Sequence, residues 1–213
     1  MEVGSGTGAV LESLLEEGDF YLAGIDIDRS GLRFAQDLMK SFLLAQANGY
    51  KLPFPDDNFS ISYCHYLLLW VINPDRILAE MQRVTRKGGC VIALAEPDYQ
   101  SRIDFPPPLD QLGRHQSQSL QAQGADISIG RKLSALFNEA GLEDVEIGII
   151  GARWKARATP EANKSEWMTI QSDLANQMPR ETLKGYQDLD QSSWVKGNRV
   201  LFIPTFYAVG IVP

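Results

Sequence analysis

Through the first two-thirds of the chain, short apolar runs alternate with stretches whose apolar residues recur three and four positions apart. "MEV" predicts a strand stub. "TGAVLESLLEEG" predicts a helix with Val10, Leu11, Leu14 and Leu15 on one face and Gly18 at its end. "FYLAGID" reads as a second strand, Asp28 or Ser30 as the cap of a helix over "SGLRFAQDLMKSF", and "LLAQA" as a third strand. The turn formers of "NGYKLPFPDDN" predict a loop before "FSISYCH", the fourth strand. Asn73 followed by Pro74 predicts a capped helix start, with "PDRILAEMQRVTRK" running to Gly88 and "CVIALAE" as the fifth strand. Strands and helices alternating in this way predict a parallel sheet with helices on its faces.

After Glu96 the rhythm changes. "PDYQSRIDFPPP" reads as an irregular connector, followed by two helices over about residues 108–123 and 130–140, the second closed by Gly141. "EDVEIGIIGARW" predicts a sixth strand. Thr159–Pro160 opens a helical stretch running in pieces to about Asp190, and "RVLFIPTFYAVGIV" predicts one long final strand.

Composition narrows the classes of partner. At 213 residues, 44% hydrophobic and 22% charged, the chain fits one globular domain. A net charge of −7 argues against a nucleic-acid or anionic-membrane partner. The basic residues Arg153, Lys155, Arg157 and Lys164 read as a solvated surface. Cys64 and Cys90 have neither disulfide-framework nor zinc spacing, and His65 and His115 stand far apart, so no metal site is expected. The apolar stretches are too short or interrupted to cross a bilayer, and no basic-then-apolar leader opens the chain. A soluble, cytoplasmic protein is the expectation.

The chemistry centres on "GSGTGA", residues 4–9. A strand, a glycine turn and a helix make an anion or cofactor site, because glycines let the backbone approach a ligand and the helix start offers unpaired N–H groups. The run fits G-x-G-x-x-[GA], with Ala9 third, and equally a G-x-G-x-G pattern. Asp26 ends the second strand, where a carboxylate can accept both ribose hydroxyls of an adenosine-type cofactor. A nicotinamide-dependent oxidoreductase would share these features. It leaves "LPFPDDNF" without a purpose, and the chain has no Tyr-x-x-x-Lys pair.

Taken together, "EVGSGTG", "GIDIDRSGL", "ANGYKLPFPDDNFS" and "RVTRKGG" resemble the class I S-adenosylmethionine-dependent methyltransferases. The nearest group is the small-molecule branch related to ubiquinone- and menaquinone-biosynthesis methyltransferases. The four motifs cover roughly residues 1–96, and "GRKLSALFNEAGLEDVEI" and "FYAVGIV" resemble that family's closing elements. The resemblance implies a Rossmann-like three-layer α/β sandwich, with a seven-stranded, mostly parallel sheet and an antiparallel last strand. It also implies a single domain over residues 1–213, in which 1–96 form the cofactor-binding half and insertions at 97–128 and 153–198 shape an acceptor pocket. Glu2, Gly4, Ser5, Gly6 and Gly8 would then lie along S-adenosyl-L-methionine, with Glu2 at its methionine end. Asp26 would take the ribose and Ile27 the adenine face. Asn48, where the family usually has aspartate, would accept from the adenine amino group, with Gly49 and Leu52 beside it. Cys64 and His65 would end the fourth strand near the sulfonium. Ser60 and Lys87 depart from the family pattern at positions outside the cofactor contacts. The first strand reads as truncated, since only three residues precede the glycine turn, and the expectation is either a natural start further upstream or another element that covers the gap.

The implied reaction is methyl transfer to a small organic acceptor, with oxygen, nitrogen and carbon acceptors and the oligomeric state left open. His65 and His115 are the expected base or acceptor-positioning groups. Glu96 and Asp98 could orient a polar acceptor, but turn and capping roles suit them better. Tyr99, Arg102, Trp154 and Tyr207 are further pocket candidates. The fourth strand lacks the Asn-Pro-Pro-aromatic signature, and neither G-x-S-x-G nor a Gly-Lys-Ser/Thr loop occurs. A non-catalytic cofactor-binding subunit on the same fold stands as the alternative.

Overall fold

The computed structural model describes residues 1–18, 20–38, 42–151 and 160–213. The predicted alternation is present: β1 (Glu2–Val3), α1 (Ala9–Glu16), β2 (Ala23–Asp26), α2 (Arg29–Leu38), β3 (Leu43–Gln46), β4 (Phe59–Cys64), α3 (Pro74–Val84) and β5 (Thr85–Pro97). There follow β6 (Ile103–Phe105), α4 (Pro107–Ala122), α5 (Leu133–Glu139), β7 (Glu143–Ile150), α6 (Pro160–Leu174), α7 (Arg180–Lys196), β8 (Val200–Phe202) and β9 (Thr205–Ile211). Seven strands form one sheet in the order β3-β2-β1-β4-β5-β9-β7. The β1 to β5 strands pair in parallel, and two-residue β1 bonds to both β2 and β4. Gly88, near the start of β5, donates its N–H to the carbonyl of Val212, just past β9, so the last strand runs antiparallel. This is the Rossmann-like sheet that the sequence pattern and the resemblance together predict.

The chain divides into two compact units. One comprises residues 1–96, 129–149 and 206–213, and the other 97–128 and 150–205. In the first, Leu11 of α1, Ala35 of α2 and Tyr63 of β4 are buried together, with Val10, Leu14, Leu44 and Ile92 packed around them. Leu15, expected on the same face, is exposed instead. Gly24 of β2 lets the glycine loop settle on the sheet, since a Cβ there would lie 2.8 Å from both the Ser5 hydroxyl and Leu11. In the second unit α4, α6 and α7 close over Leu109, Leu112, Trp167, Ile170, Leu174 and Leu183.

Several boundaries differ from the sequence reading for identifiable reasons. The third helix stops at Val84, not at Gly88, because Thr85 turns extended and its hydroxyl donates to the carbonyl of Met81 at 2.7 Å. That bond satisfies one of the orphan carbonyls of the helix end. Asn73 occupies the N-cap position of α3 but its side chain makes no cap bond, the proline at the first turn sufficing. Asp28 is the cap of α2, its carboxylate accepting from Ser30 N–H at 2.9 Å and Gly31 N–H at 3.2 Å. The "irregular" connector contains β6, which pairs antiparallel with β8. The final stretch is two strands in different sheets, interrupted at Pro204, which has no N–H to give to a ladder. The helical stretch after Pro160 runs past Asp190 to Lys196. Thr159, the end of "GARW" with Trp154, and the basic residues Arg153, Lys155 and Arg157 lie outside the described residues.

Among the described residues, no helix is long and apolar enough to cross a membrane and no cluster of His, Cys, Asp and Glu could hold a metal ion. Cys64 and Cys90 are free.

Candidate cofactor site

The glycine loop begins where β1 ends and is fixed almost wholly by backbone bonds. Gly4 and Ser5 both donate their N–H groups to the carbonyl of Ile25, at 2.8 and 2.9 Å. Gly4, Gly6 and Gly8 have φ of 75°, 50° and 81°, the left-handed region that side chains resist. The Gly6 N–H is aimed at Asp26 and bonds its Oδ2 at 2.7 Å. Gly8 N–H returns to the Ser5 carbonyl at 2.7 Å, and Gly8 is the N-cap of α1. Behind the loop a Cβ on Gly4 would lie 2.8 Å from Leu67, and one on Gly31 would lie 2.9 Å from the Gly6 carbonyl. A Cβ on Gly6 would meet nothing within 4 Å, so this side of the loop is open to a ligand.

Asp26 is the hub. Its second oxygen accepts the Asp28 N–H at 2.7 Å, so the carboxylate ties the loop to the start of α2 while each oxygen keeps lone-pair capacity for another donor. Ile27, 70% exposed, stands beside it. The Ser5 side chain lies instead over Gly24 in the sheet, and its buried hydroxyl has no hydrogen-bond partner. Any contact of Ser5 with a ligand on the open side therefore comes from its backbone.

The loop after β3 is held by a residue that sequence reasoning passed over. Arg83 of α3 donates to the carbonyls of Phe54 and Leu52, at 2.9 and 3.2 Å, and pairs with Asp56 at 2.6 Å and Glu80 at 2.7 Å. Those charge-assisted bonds hold the Glu80 carboxyl below the usual carboxylate range. Glu80 in turn accepts the Leu52 N–H at 2.7 Å. "LPFPDDNF" thus has a structural purpose as the docking segment for this guanidinium. Asn48 is exposed, and its Oδ1 accepts the Tyr50 N–H at 3.0 Å. Gly49 is tightly packed, since a Cβ there would sit 2.8 Å from Ile77. Leu52 is buried.

At the end of β4, Cys64 is fully buried with its thiol 3.9 Å from Glu96, and burial pushes that thiol well up. It is an inert packing group, so a ligand contact there falls to its backbone. His65, the next residue, is half-buried, and burial lowers its pKa below the usual 6.5. It is therefore a neutral imidazole near pH 7, able to accept a proton. Its ring lies edge-on to Tyr66 at 4.8 Å. Glu2 is 2% exposed, and burial pushes its carboxyl up to about 8, with the Tyr63 hydroxyl donating to it at 3.4 Å. Glu96, in β5, accepts three backbone N–H groups from Leu67, Leu68 and Leu69. Its role is capping, as is that of Asp98, which accepts the Ser101 N–H at 3.0 Å.

The second unit holds His115, Tyr99 and Arg102. His115 is exposed on α4. Tyr99 and Arg102 line a cavity of about 340 Å³ together with Asp104, Gln118 and Ile127. Arg102 is committed to bonds with Asp104 and Gln116, and its side chain is 4% exposed. Tyr207, on β9 in the first unit, donates to Glu146 at 2.7 Å. The structure thus gathers the glycine loop, Asp26, Ile27, Glu2, Cys64 and His65 in the first unit and puts His115 in the other.

Comparison with known proteins gives this arrangement its context. Residues 1–93 match the methyltransferase domain family. A demethylmenaquinone methyltransferase of Lysinibacillus sphaericus is 30% identical over 155 residues, covering 65% of this chain and 65% of the relative. The chain therefore spans just under two thirds of that relative's length. Among solved structures, a SAM-dependent methyltransferase of Thermotoga maritima, a possible histamine N-methyltransferase, superposes on 100% of this chain and 80% of its own at TM-score 0.60 and 15% identity. The cyclase SpnF does so on 100% and 74% at TM-score 0.62 and 17% identity. The chain shares its Rossmann-like fold with solved S-adenosylmethionine-dependent methyltransferases, and its residues 1–93 match the methyltransferase domain family.

Proposed function

We propose that this chain transfers a methyl group from S-adenosylmethionine to a small organic acceptor by in-line displacement. The observation that carries the reading is the 2.7 Å bond between Gly6 N–H and the Asp26 carboxylate. It joins a glycine loop and an acid at the carboxyl edge of a parallel sheet, where α/β folds bind ligands. The residues fit the cofactor: Gly6 has open space above it, Asp26 has lone pairs left for ribose hydroxyls, and Ile27 offers an exposed apolar surface. Asn48, Gly49 and Leu52 fall to the adenine end, and Glu2, Gly4, Ser5, Gly8 and Cys64 to the remainder, Ser5 and Cys64 through their backbones.

When bound, the cofactor supplies a methyl already activated by its sulfonium. The chain's own task is to orient the acceptor and exclude water. His65 serves as proton acceptor for an acceptor group that is protonated at working pH, because its imidazole is neutral there. His115 is the second candidate for that role. The segments 97–128 and 153–198 select the acceptor, and the two free cysteines suit a reducing, cytoplasmic setting. Relatives named for menaquinone and ubiquinone biosynthesis support a small-molecule acceptor. A second reading is a protein of this fold that binds the cofactor without methyl transfer, since a fold alone does not fix an activity.

Asp26→Ala is the direct test. Affinity for S-adenosylhomocysteine should fall by about 1–3 kcal/mol, the worth of a lost charged acceptor. Unchanged affinity removes the ribose assignment. Labelled cofactor offered with a small-molecule extract should yield a labelled product, whereas binding without turnover is the outcome of the second reading.

A further inference from the structure

Three backbone donors of the first unit converge on one buried carboxylate. Glu96, near the end of β5, is 0% exposed. Its Oε1 accepts the N–H groups of Leu67 at 3.0 Å and Leu68 at 2.9 Å, and its Oε2 that of Leu69 at 3.2 Å. These donors open the single helical turn Leu68–Trp70, whose first N–H groups have no partner within the turn. Just upstream, Tyr66 is left-handed with φ of 51°, and its N–H bonds the Ala95 carbonyl at 3.0 Å. Adjacent residues of β5 therefore pin the whole segment from Tyr66 to Leu69.

The pinned segment bears on the glycine loop. The Leu67 side chain lies so close over Gly4 that a Cβ there would be 2.8 Å from its Cδ1. Gly4 is the first residue of the loop, and its N–H and that of Ser5 share the Ile25 carbonyl. The Glu96 carboxylate fixes Leu67, Leu67 backs Gly4, and Gly4 sets the level at which the rest of the loop leaves the sheet. A carboxylate suits the task because it accepts on both oxygens and donates nothing when ionised. A carboxamide would turn an N–H2 toward backbone donors.

We propose that Glu96 is a positioning residue for the cofactor site: through three backbone N–H groups it holds Leu67 as the seat of the glycine loop. The cofactor half of this statement rests on the methyltransferase reading above. The fixing of the loop does not.

The test pairs amide hydrogen exchange with calorimetric titration of S-adenosylhomocysteine for wild type, Glu96→Gln and Leu67→Ala. Glu96→Gln should speed exchange at Leu67–Leu69 and at Gly4–Gly6, and weaken binding by roughly tenfold, the order expected when a charged acceptor is lost. Leu67→Ala should leave the Leu67–Leu69 amides protected while loosening the loop and weakening binding. Stability loss alone would lower the melting temperature without raising exchange in the glycine loop far below it. Faster exchange confined to Leu67–Leu69, with loop protection and affinity within twofold of wild type, overturns the proposal. Absence of wild-type binding overturns the methyltransferase reading instead, and the loop exchange still decides the role of Glu96.

Discussion

Both units bury carboxylates, but they compensate them differently. In the first, Glu2 faces the Tyr63 hydroxyl and Glu96 faces three backbone amides, and burial pushes their carboxyls up to about 8 and about 7. In the second, Asp104 and Asp190 lie against guanidinium groups. Arg199 reaches Asp104 at 2.8 Å and Asp190 at 2.6 Å, and Trp167 adds an indole N–H to Asp190 at 2.9 Å. The guanidinium pairs are a structural solution to charge burial. Glu2 and Glu96 have no guanidinium partner and are pushed by burial toward neutral pH, and such groups cluster where ligands bind. Burial also raises Glu166 and Asp173 of the second unit, so the contrast is between the guanidinium-paired Asp104 and Asp190 and the amide- and hydroxyl-bonded Glu96 and Glu2.

The sharpest way to break this contrast is to remove the cation from the second unit. Arg199→Met should cost about 3–5 kcal/mol, because Asp190 is left buried without a cation and Asp104 keeps only Arg102. Chemical denaturation would measure it, and a loss below about 1 kcal/mol would mean that these charges are not coupled as the distances imply.

A smaller effect belongs to Glu2. Its folded pKa is raised from 4.5 to about 8, so its contribution to stability is fully present below the unfolded value and is lost as pH rises through the folded one. Glu2→Gln removes that dependence. The variant should therefore gain on wild type between about pH 5 and 8, and the difference between the two curves cancels the titrating groups that do not touch Glu2, the neighbouring Met1 amino group excepted. Parallel curves would show that Glu2 is not held in the way its burial indicates.

The sequence displayed some of this and hid the rest for physical reasons. The parallel strands, the glycine turn and Asp26 were legible because periodicity and left-handed glycines are local signals. The split at Pro204 was legible in principle, since proline removes a ladder donor, yet the apolar run on either side masked it. Arg83 was not legible as an anchor for the loop after β3, because its partners Leu52, Phe54 and Asp56 lie about 30 residues away in sequence. The same holds for Arg199 and Asp104, joined only by the pairing of β8 with β6. Glu96 was read as a capping residue, but its connection through Leu67 to Gly4 exists only in three dimensions.

The central claim is that the loop tied to Asp26 grips an adenosyl sulfonium cofactor. Calorimetric titration of the folded wild-type chain with S-adenosylmethionine, with S-adenosylhomocysteine and with a nicotinamide dinucleotide tests it most directly. Saturable heat with the first two and none with the third is the predicted result. Heat with the nicotinamide dinucleotide alone would contradict the account.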